Sequence, residues 1–438
     1  MKNKIALSIV AFLFSNFINA QTWQYVNEVN GASISDMIVY NGELYAADGY
    51  GGTAYSINSC ASDIVKYDGS SWSCVGNNLQ VAMVNVFEEF NGELYAGGYF
   101  TFNNGTQSNV IKLQSGNWVP IRSHFSYDAK SLCVFNNELY EVEKKWGQDS
   151  IFINKWNNVS WDTVLFLFPT QYLITINALA TFNNELYIGG EFENIAGVTT
   201  NNIIKYDGAT YSSVGGGTPQ CFSMIDNFFV FNNNLYASGK FGIIGSISAN
   251  RIARWDGSAW YSLGNGLTGG LDVLNGGTMY HLNNNIIVSE FFVDSSSISS
   301  NRIKEWDGIN WTVISPVNHS GIRSMINYNN ELYAGGAFDQ NPYVLMKYGF
   351  ANGIEENEVE DIFLFPNPAI DEIRIEGLKE RDKWVEVWDM VGKKIFLPIN
   401  PLKGTSARID VSGLTSGIYF VSVRDEKNNL VVRKIVKL

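Results

Sequence analysis

One short segment recurs seven times along the chain, and this repeat constrains the fold more than any other feature of the sequence. Clear copies read FNGELYAGGYF and FNNELYIGGEF, each around a central aliphatic residue. The central residues, spaced by 45 to 51 positions, are Leu44, Leu94, Leu139, Leu186, Leu235, Ile286 and Leu332. A period of this length is typical of a fold built from one repeated supersecondary unit.

Each repeat predicts four short antiparallel strands. The first strand precedes Asn-Gly or Asn-Asn, the second contains Leu-Tyr, the third ends at Asp-Gly as in Asp207-Gly208, and the fourth carries an aromatic residue such as Trp260. Asn and Gly accept the positive φ that two-residue hairpin turns require. Seven such units predict an all-β, seven-bladed propeller. A solenoid is the alternative, but the long connection from each fourth strand to the next first strand favours a ring.

The two ends of the repeat region predict how the ring closes. The last repeat reaches Gly349 and Phe350 without an aromatic fourth strand. Trp23 and Val26, near the N-terminus, have the aromatic-then-aliphatic spacing of the fourth strands but no preceding strands. We therefore expect the N-terminal strand to complete the last blade, which leaves no unpaired outer strand.

The N-terminus predicts export. Lys2 and Lys4 precede an apolar stretch over 5–17, and Ala20 and Gln21 flank a small-residue cleavage site, so 1–20 reads as a signal peptide. No later segment approaches 18 consecutive apolar residues, which predicts a mature chain without a transmembrane segment. A net charge of −13 counts against nucleic acid as a partner, because nucleic-acid binding needs a dense cationic surface.

The four cysteines leave two interpretations open. In an exported chain, Cys60, Cys74, Cys133 and Cys221 permit two disulfides, and only Cys60 and Cys74 are close in sequence. The simpler interpretation, which the sequence favours, is that all four are small buried residues. No C-x-x-C pair is present, so the spacing excludes a zinc ribbon.

The repeats resemble the "LYxGGxF … IAxWDGxxWxxLG" units of bacterial secreted propellers related to kelch blades. The double glycines are Gly97-Gly98, Gly189-Gly190 and Gly335-Gly336, and the later tryptophans are Trp72, Trp260 and Trp311. The resemblance covers about 21–350, although the third repeat lacks the glycine pair (Glu141-Val142). Kelch propellers include binding platforms and some enzymes, so the resemblance leaves the function open.

Beyond an acidic linker at 351–360, the segment 361–438 alternates strand-like runs with turns and predicts a small β-sandwich. Five motifs in order resemble the type A C-terminal sorting domain of proteins that the type IX system of Bacteroidetes exports. The motif residues are Pro366, Asn367, Pro368, Asp389, Gly392, Lys393, Gly413, Leu414, Gly417 and Tyr419. The resemblance implies an interaction with the type IX secretion machinery and a destination at the cell surface or in the medium. The proline pair in "FPNP" also suggests the start of an edge strand.

A ligand site is expected where the repeat is broken, in the connections from strand four to strand one and from strand two to strand three. Both sets of connections emerge on one face of a propeller. The candidate ligand-binding residues there are Tyr50, Tyr55, His124, Tyr127, Trp146, Phe166, Phe168 and Tyr172. The repeated aromatic residues are instead expected to pack blade against blade.

The sequence predicts a non-catalytic binding protein whose ligand is an extracellular polysaccharide or a surface protein. With three histidines and no metalloprotease, phosphate-loop, serine-hydrolase or calcium-loop motif, it predicts no catalytic residue, cofactor or metal. The alternatives are a secreted glycan-active enzyme on a propeller scaffold and a structural surface-layer component.

Overall fold

The computed structural model describes two compact units, one formed by Gln21–Gly349 and one that contains Phe350–Leu438. The described residues are 21–26, 29, 31, 33–48, 60, 63–122, 127–145, 150–168, 174–267, 277–293, 299–315, 321–329, 331–337, 344–350, 363–376, 382–389, 394–395, 399–403, 406–425 and 430–438. The predicted signal peptide and linker lie outside these ranges. Within them the chain forms strands and no helix.

Seven four-stranded antiparallel sheets make up the described part of the first unit, and we call them blades 1 to 7 in chain order. The first described strand, β1 (Gln21–Tyr25), belongs to blade 7. Blade 1 contains β2 (Asp36–Tyr40), β3 (Glu43–Ala47), β4 (Ile64–Tyr67) and β5 (Trp72–Cys74). Blade 2 contains β6 (Leu79–Phe90), β7 (Glu93–Phe102), β8 (Gln107–Gln114) and β9 (Asn117–Arg122). Blade 3 contains β10 (Tyr127–Phe135), β11 (Glu138–Lys145), β12 (Ile151–Trp156) and β13 (Trp161–Leu167).

Blades 4 and 5 each add a small hairpin between their second and third strands. Blade 4 is β14 (Thr175–Phe182), β15 (Glu185–Glu191), β18 (Ile203–Tyr206) and β19 (Tyr211–Ser213), with hairpin β16 (Asn194–Ile195) and β17 (Val198–Thr199). Blade 5 is β20 (Met224–Phe231), β21 (Asn234–Lys240), β24 (Ile252–Trp255) and β25 (Trp260–Ser262), with hairpin β22 (Ile243–Ile244) and β23 (Ile247–Ser248).

Blade 6 is β26 (Met279–Leu282), β27 (Asn285–Val293), β28 (Ser299–Trp306) and β29 (Trp311–Val313). Blade 7 is β30 (Ile322–Tyr328), β31 (Glu331–Gly336), β32 (Leu345–Phe350) and, last, β1. The N-terminal strand thus closes the final blade as expected: Val26 N donates to Leu345 O at 2.9 Å, and the Trp23 ring lies 5.0 Å from Tyr348.

The turns form where the sequence predicts them. Asn41 and Gly42 have φ of 50° and 77°, and Asn183 and Asn184 have φ of 50° and 58°, so each pair makes a two-residue hairpin turn with two positive φ angles. The Asp-Gly turns use a side chain as well. Asp207 Oδ1 accepts from the backbone N–H groups two and three residues later, at 2.8 and 2.7 Å.

The first strands of the blades contact one another in a closed circle, in the order β2, β6, β10, β14, β20, β26, β30 and back to β2. Side chains at corresponding positions, nine residues before the central Leu of each repeat, bond to the next blade. Ser35 donates to Val84 O, Asn85 to Ala129 O and Asn177 to Ile225 O, at 2.5 to 3.0 Å. These bonds tie neighbouring inner strands together at one end of the ring.

Seven hydrophobic clusters, one for each pair of neighbouring blades, hold the ring together. The repeated aromatic residues lie in them: Phe100, Phe192 and Phe241 are buried, as are Trp118 and Trp260. This is the blade-on-blade packing expected from their periodicity. Phe338 lies outside the described residues.

The glycine pair has a steric cause. A Cβ at Gly98, Gly190, Gly239 or Gly336 would lie 1.9 to 2.2 Å from a backbone oxygen of the first strand of the same blade or of the residue just before it. The strand register puts Val142 and Glu143 at the glycine positions of blade 3, one residue later than the sequence comparison did. The second position is Asp48 in blade 1 and Glu290 in blade 6. Blades 1, 3 and 6 therefore depart from the repeat at the same two positions.

The cysteines do not all behave as small buried residues. Cys60 and Cys74 form a disulfide across a separation of 14 residues, which corrects the favoured sequence interpretation for this pair. Cys133 is free and buried, as that interpretation expects, whereas Cys221 is free and exposed.

The second unit is a β-sandwich of two four-stranded sheets. One sheet contains β33 (Phe363–Phe365), β34 (Glu372–Glu376), β38 (Ser406–Asp410) and β37 (Ile399–Lys403), in that order. The other contains β36 (Lys394–Ile395), β35 (Asp382–Asp389), β39 (Gly417–Asp425) and β40 (Leu430–Lys437). Its core includes Ile373, Ile409, Val421 and Ile435.

Several of the predicted motif residues meet in this sandwich. Asn367 Oδ1 accepts from Val436 N at 2.9 Å, and Ala369 exchanges backbone hydrogen bonds with Val436 and Leu438, so the "PNPA" segment reaches the last strand. Tyr419 donates from its hydroxyl to Thr415 O at 2.9 Å. The Pro366–Pro368 segment follows edge strand β33 rather than starting it, which corrects that expectation. Gly392 and Lys393 lie outside the described residues.

Candidate functional site

The two sets of connections named in the sequence prediction lie at the same end of the blades, and we call this end the connection face. Of the predicted ligand-binding residues, Phe166 and Phe168 have described side chains. Tyr127 begins β10, and nothing is described of its side chain. The other predictions lie outside the described residues; they are Tyr50, Tyr55, His124, Trp146 and Tyr172.

Phe166 and Phe168 form an exposed aromatic edge on blade 3. Their exposed fractions are 53% and 60%. Phe152 stacks on Phe166, with ring centroids 4.7 Å apart and an interplanar angle of 27°. This edge offers flat apolar surface to a ligand at the connection face.

A cleft of about 220 Å³ opens between blades 3 and 4. Its wall is apolar with four polar side chains, and the lining residues are Lys130, Val142, Lys144, Ile151, Thr175, Ile176 and Asn177. Lys130 pairs with Asp128 at 2.5 Å. Thr175 Oγ1 is buried without a hydrogen-bond partner among the described residues. Asp128 therefore offsets the charge of one of the two ammonium groups at this cleft.

A larger cleft, of about 560 Å³, opens on the connection face of blade 5. It is formed by the connection before β20, the ends of β21 and β24, and the connection after β25. Its lining residues are Gln220, Cys221, Phe222, Ser223, Lys240, Phe241, Gly242, Asn250, Arg251 and Leu267. Two of these are cations, and no Asp or Glu is among them.

Hydrogen bonds hold the walls of the blade 5 cleft in place. Gln220 Oε1 accepts from Gly242 N at 2.7 Å and from Ile243 N at 3.1 Å, which joins two connections across the cleft. Asn202 Nδ2 donates to Ser223 Oγ at 2.9 Å, and Ser223 Oγ donates to Thr218 O at 2.8 Å. The cleft is therefore built before any ligand arrives.

The backbone around this cleft is strained. Phe222 has φ of +58° while 78% of its surface is exposed, and Asn250 and Arg251 have φ of 22° and 71°. A left-handed conformation costs a residue with a side chain about 1–2 kcal/mol. Asn202 of blade 4 and Asp63 of blade 1 have φ of 68° and 52° at the position of Arg251, so this part of the strain belongs to the repeated framework.

One buried carboxylate, Glu143, replaces a glycine of blade 3, and a second, Glu141, lies two residues before it. Arg122 pairs with Glu141 at 3.4 Å and with Glu143 at 3.0 Å, and Asn154 donates to Glu143 at 2.8 Å. Burial and, next, the charge of Glu143 raise the pKa of Glu141 to about 8. Because these groups satisfy one another beneath the surface, we assign the cluster to the boundary between blades 2 and 3 rather than to ligand binding.

Two carboxyl groups on inner strands, Asp36 and Glu88, have raised pKa values. Asp36 accepts from Phe87 N at 2.7 Å and from Ser324 Oγ at 3.0 Å. Burial raises the pKa of Asp36 to about 6. Burial, with the charge of Asp36 as the second cause, raises the pKa of Glu88 to about 8. These are the groups with acid–base character that a catalytic interpretation would use.

The histidines do not form a described site. His281 stacks on Phe231 with ring centroids 4.4 Å apart, and His124 and His319 lie outside the described residues. Among the described side chains, no group of three or more His, Cys, Asp or Glu is placed to hold a metal ion.

Sequence reasoning missed the blade 5 cleft. The available signal was the place of Lys240 and Arg251 at the two ends of the connection between the second and third strands. Neither residue is aromatic, so a search for exposed rings passed over them. The charge pattern of that connection, compared with blade 4, would have indicated the cleft.

Comparison with known proteins identifies the kind of protein. Residues 363–437 match the family model of the secretion system C-terminal sorting domain, and residues 183–208 match the domain of unknown function (DUF5122) β-propeller. The chain is an exported β-propeller protein with a type IX sorting domain, and its destination is the cell surface or the extracellular space. No curated protein matches it. The described residues include no helix that is long and apolar enough to span a membrane.

Three solved structures are similar to this chain at low identity. The Dos1 propeller is 10% identical over 75% of this chain and 96% of its own, with a TM-score of 0.40. YjhT is 11% identical over 74% of this chain and 95% of its own, with a TM-score of 0.35. A Bacteroides uniformis protein provisionally described as a 6-phosphogluconolactonase is 14% identical over 64% of this chain and 85% of its own. Its TM-score is 0.38. At these TM-scores, the fold assignment rests on the sheets of this chain and the family matches.

Proposed function

We propose that the propeller is a non-catalytic extracellular binding module whose connection face holds a polysaccharide or a surface protein. The observation that carries the proposal is the charge of the two clefts on that face. Each is lined by two cations and by no Asp or Glu, in a chain whose net charge is −13, and in the first cleft Asp128 pairs with Lys130. Cations gathered in concave sites attract anionic groups of a ligand.

The aromatic edge of blade 3 supports the same proposal. Contiguous exposed apolar patches on a protein surface mark sites that interact with a partner. Phe166 and Phe168 lie at the connection face, at the end of the blade that carries the first cleft. A ligand that spans the edge and the cleft would contact apolar and cationic groups together.

The test is a glycan array and a polysaccharide pull-down with the full chain and the double variant Phe166→Ala/Phe168→Ala. We expect saturable binding that weakens at least about tenfold in the double variant, or about 1.4 kcal/mol. Val159→Ala is the matched control, because Val159 is 83% exposed in a turn at the opposite end of blade 3. Assembly on concentration without any ligand would favour the structural surface-layer alternative.

A glycan-active enzyme is the second candidate, favoured by Asp36 and Glu88. A carboxyl that stays protonated near neutral pH can act as the general acid in glycoside hydrolysis. Release of reducing sugar from a bound glycan, lost in Glu88→Gln, would support the enzyme. Binding without turnover, unchanged in Glu88→Gln, would contradict it.

We also propose the domain division predicted from the sequence: signal peptide 1–20, propeller 21–350, linker 351–360 and sorting domain 361–438. The two compact units and the sorting-domain match at 363–437 support it. Mass spectrometry of the exported protein tests the first boundary. The division predicts an N-terminus at Gln21.

A further inference from the structure

We propose that the blade 5 cleft binds one pyranose ring of a glycan, with the C–H face of the sugar stacked on the Phe222 ring and its hydroxyl groups bonded to the side-chain amides of Gln220 and Asn250. This inference rests on the proposed function and deepens it, because it names the sugar unit and the residues that recognise it. It depends on ring stacking and hydroxyl recognition and on no charge in the cleft.

The Phe222 ring is presented by a turn that favours a different residue. Ser223 N donates to Gln220 O at 3.3 Å, which closes a four-residue turn over 220–223. Phe222 is third in this turn and has φ of +58°, whereas Cys221, in second place, does not have a positive φ. This is the pattern of a type II turn, whose third position favours Gly or Asn. A bulky residue at that position is an outlier.

The Phe222 ring does not contribute to the described core. It is 78% exposed, and among the described residues it joins no hydrophobic cluster and stacks on no other ring. A glycine would fill the same turn without strain. Strain that the fold does not need is typical of functional sites, where the surrounding structure maintains it. We therefore assign the ring to a ligand.

Buried hydrogen bonds hold the turn that carries the ring. Asn202, in blade 4, donates from Nδ2 to Ser223 O and Ser223 Oγ, both at 2.9 Å, and to Thr218 Oγ1 at 2.8 Å. Asn202, Ser223 and Thr218 are all buried. The turn is thus anchored to the neighbouring blade. A site ordered in advance loses less conformational entropy when the ligand binds.

The amide of Gln220 keeps its donor groups for a ligand. Its Oε1 accepts from Gly242 N and Ile243 N, and backbone N–H groups can only donate, so these bonds fix which atom of the amide is the oxygen. Nε2 has no hydrogen-bond partner among the described residues. Gln220 lines the cleft. It therefore offers N–H donors beside the ring.

Asn250 supplies the complementary acceptor. Its Nδ2 donates to Asn265 O at 2.8 Å, which leaves Oδ1 as the acceptor, and Oδ1 has no partner in the described part of the chain. Asn250 also lines the cleft. Because a hydroxyl group both donates and accepts, the hydroxyls of one sugar can use both amides.

The size and lining of the cleft favour a sugar unit over a docked protein. Its volume of about 560 Å³ lies within the range of roughly 300–1,000 Å³ for small-molecule sites. Phe222 is the one exposed ring among its lining residues, since Phe241 is buried. A single ring flanked by amides matches a pyranose, which has an apolar face and a polar edge.

The experiment measures binding of the full chain to four oligosaccharides by titration calorimetry. The probes are cellohexaose, laminarihexaose, xylohexaose and β-1,4-galactohexaose, each of which presents pyranose C–H faces. We expect at least one of them to bind. Phe222→Gly should weaken that binding at least about tenfold, whereas Phe222→Tyr, which keeps the ring, should retain it.

Stability and a matched variant separate recognition from folding. Phe222→Gly should not lower the melting temperature, because glycine adopts a positive φ without strain. Ile309→Gly is the control, since Ile309 is also 78% exposed, in a turn at the opposite end of blade 6. It should leave binding unchanged.

Gln220→Glu tests the amide. The carboxylate still accepts from Gly242 N and Ile243 N, so the wall of the cleft should remain, but it cannot donate to a sugar hydroxyl. We expect weaker binding of the oligosaccharide with an unchanged melting temperature. Equal binding by Gln220→Glu and the unaltered chain would contradict the role given to Nε2.

The free thiol of Cys221 locates the bound sugar. Cys221 is exposed and lines the cleft, whereas the other free cysteine, Cys133, is buried. At an oligosaccharide concentration ten times the Kd, the reaction of Cys221 with an aromatic disulfide reagent should slow about tenfold. Cys221→Ser should bind the oligosaccharide normally and lose this reaction.

Unchanged binding in Phe222→Gly, no protection of Cys221 by a bound oligosaccharide, or no binding of any of the four probes would overturn the inference. If a glycan binds and only Phe166→Ala/Phe168→Ala weakens it, the proposed function stands and this inference fails. The same holds if a surface protein binds through Phe222 and none of the four probes does. If no glycan and no surface protein binds, both fail.

Discussion

At the scale of single residues, the second glycine of the Leu-Tyr strand is a steric requirement in blades 2, 4, 5 and 7. Gly190 allows the backbone oxygen of Thr175 to approach to a distance that any Cβ would violate. Where the chain places Glu143 or Glu290 instead, the carboxylate is buried and paired with cations. These exceptions therefore change the contacts between neighbouring blades, and the four-stranded sheets still form.

Gly190→Ala is expected to lower the free energy of unfolding by about 3 kcal/mol, because the new Cβ would lie 1.9 Å from Thr175 O and the backbone must move. Gly197→Ala is the control. No atom lies within 4 Å of its Cβ position, and its φ of +81° predicts a loss of about 1 kcal/mol. Denaturant unfolding measures both, and equal losses would contradict the steric explanation.

The carboxyl of Glu88 predicts a pH dependence. Its pKa is raised to about 8, so the folded state keeps a proton that the unfolded state releases above its ordinary pKa of 4.5. Stability should therefore decrease as the pH rises through this window. Glu88→Gln should reduce the pH dependence of the melting temperature between about pH 5 and pH 8. Asp36, whose pKa is raised to about 6, accounts for the dependence that remains at the lower end of this range.

The exposed neighbour Glu89 supplies the control for this measurement. Glu89→Gln removes one carboxyl from the same strand at a site facing solvent. A pH profile that changes equally in both variants would show that burial at Glu88 is not the cause.

At the scale of elements, the closing strand joins the two ends of the propeller. β1 covers the edge of β32, and Trp23 packs on Tyr348. Deleting 21–26 should lower the free energy of unfolding by about 3 kcal/mol or more, the range for loss of one large buried aromatic side chain. It should also cause association through the exposed strand edge.

A synthetic peptide of residues 21–30 provides the matched rescue. Because the deletion leaves the acceptor edge intact, the peptide should bind and restore the melting temperature. Light scattering and calorimetry follow the two effects. An unchanged melting temperature after the deletion would contradict the role given to β1.

At the scale of the whole molecule, export depends on the C-terminal unit. Removing 363–437 should leave the protein in the periplasm, because the sorting domain directs passage through the type IX system. Fractionation of cells and medium measures this. A variant with Val159→Ala and an intact tail should be exported normally, and export of the tailless chain would contradict the prediction.

The repeat, its turns and the closing strand were predictable because their causes are local. Asn41-Gly42 favours a hairpin from its own conformational preference, and a period near 48 residues requires one unit stacked many times. The sorting motifs were readable for a similar reason, since their order and spacing lie within one short segment.

The surroundings of the predicted site residues were less predictable than the repeat. Phe166 and Phe168 were found exposed at the connection face, but the sequence did not indicate that Phe152 stacks beneath one of them. That contact depends on the register between β12 and β13, which pairs Phe152 with Phe166. A shift of one residue would turn the two rings to opposite faces.

By itself, the sequence determined the all-β repeated architecture, the closure of the last blade and the route of export. Only the tertiary structure decided where the clefts lie and which charges meet. Lys240 and Arg251 line one cleft because β21 pairs with β24, and the wall of that cleft depends on Gln220 bonding to Gly242. A hairpin turn depends on a few neighbouring residues, and the repeat can be read from the sequence directly. A cleft instead arises from packing between connections whose sequences differ from one repeat to the next.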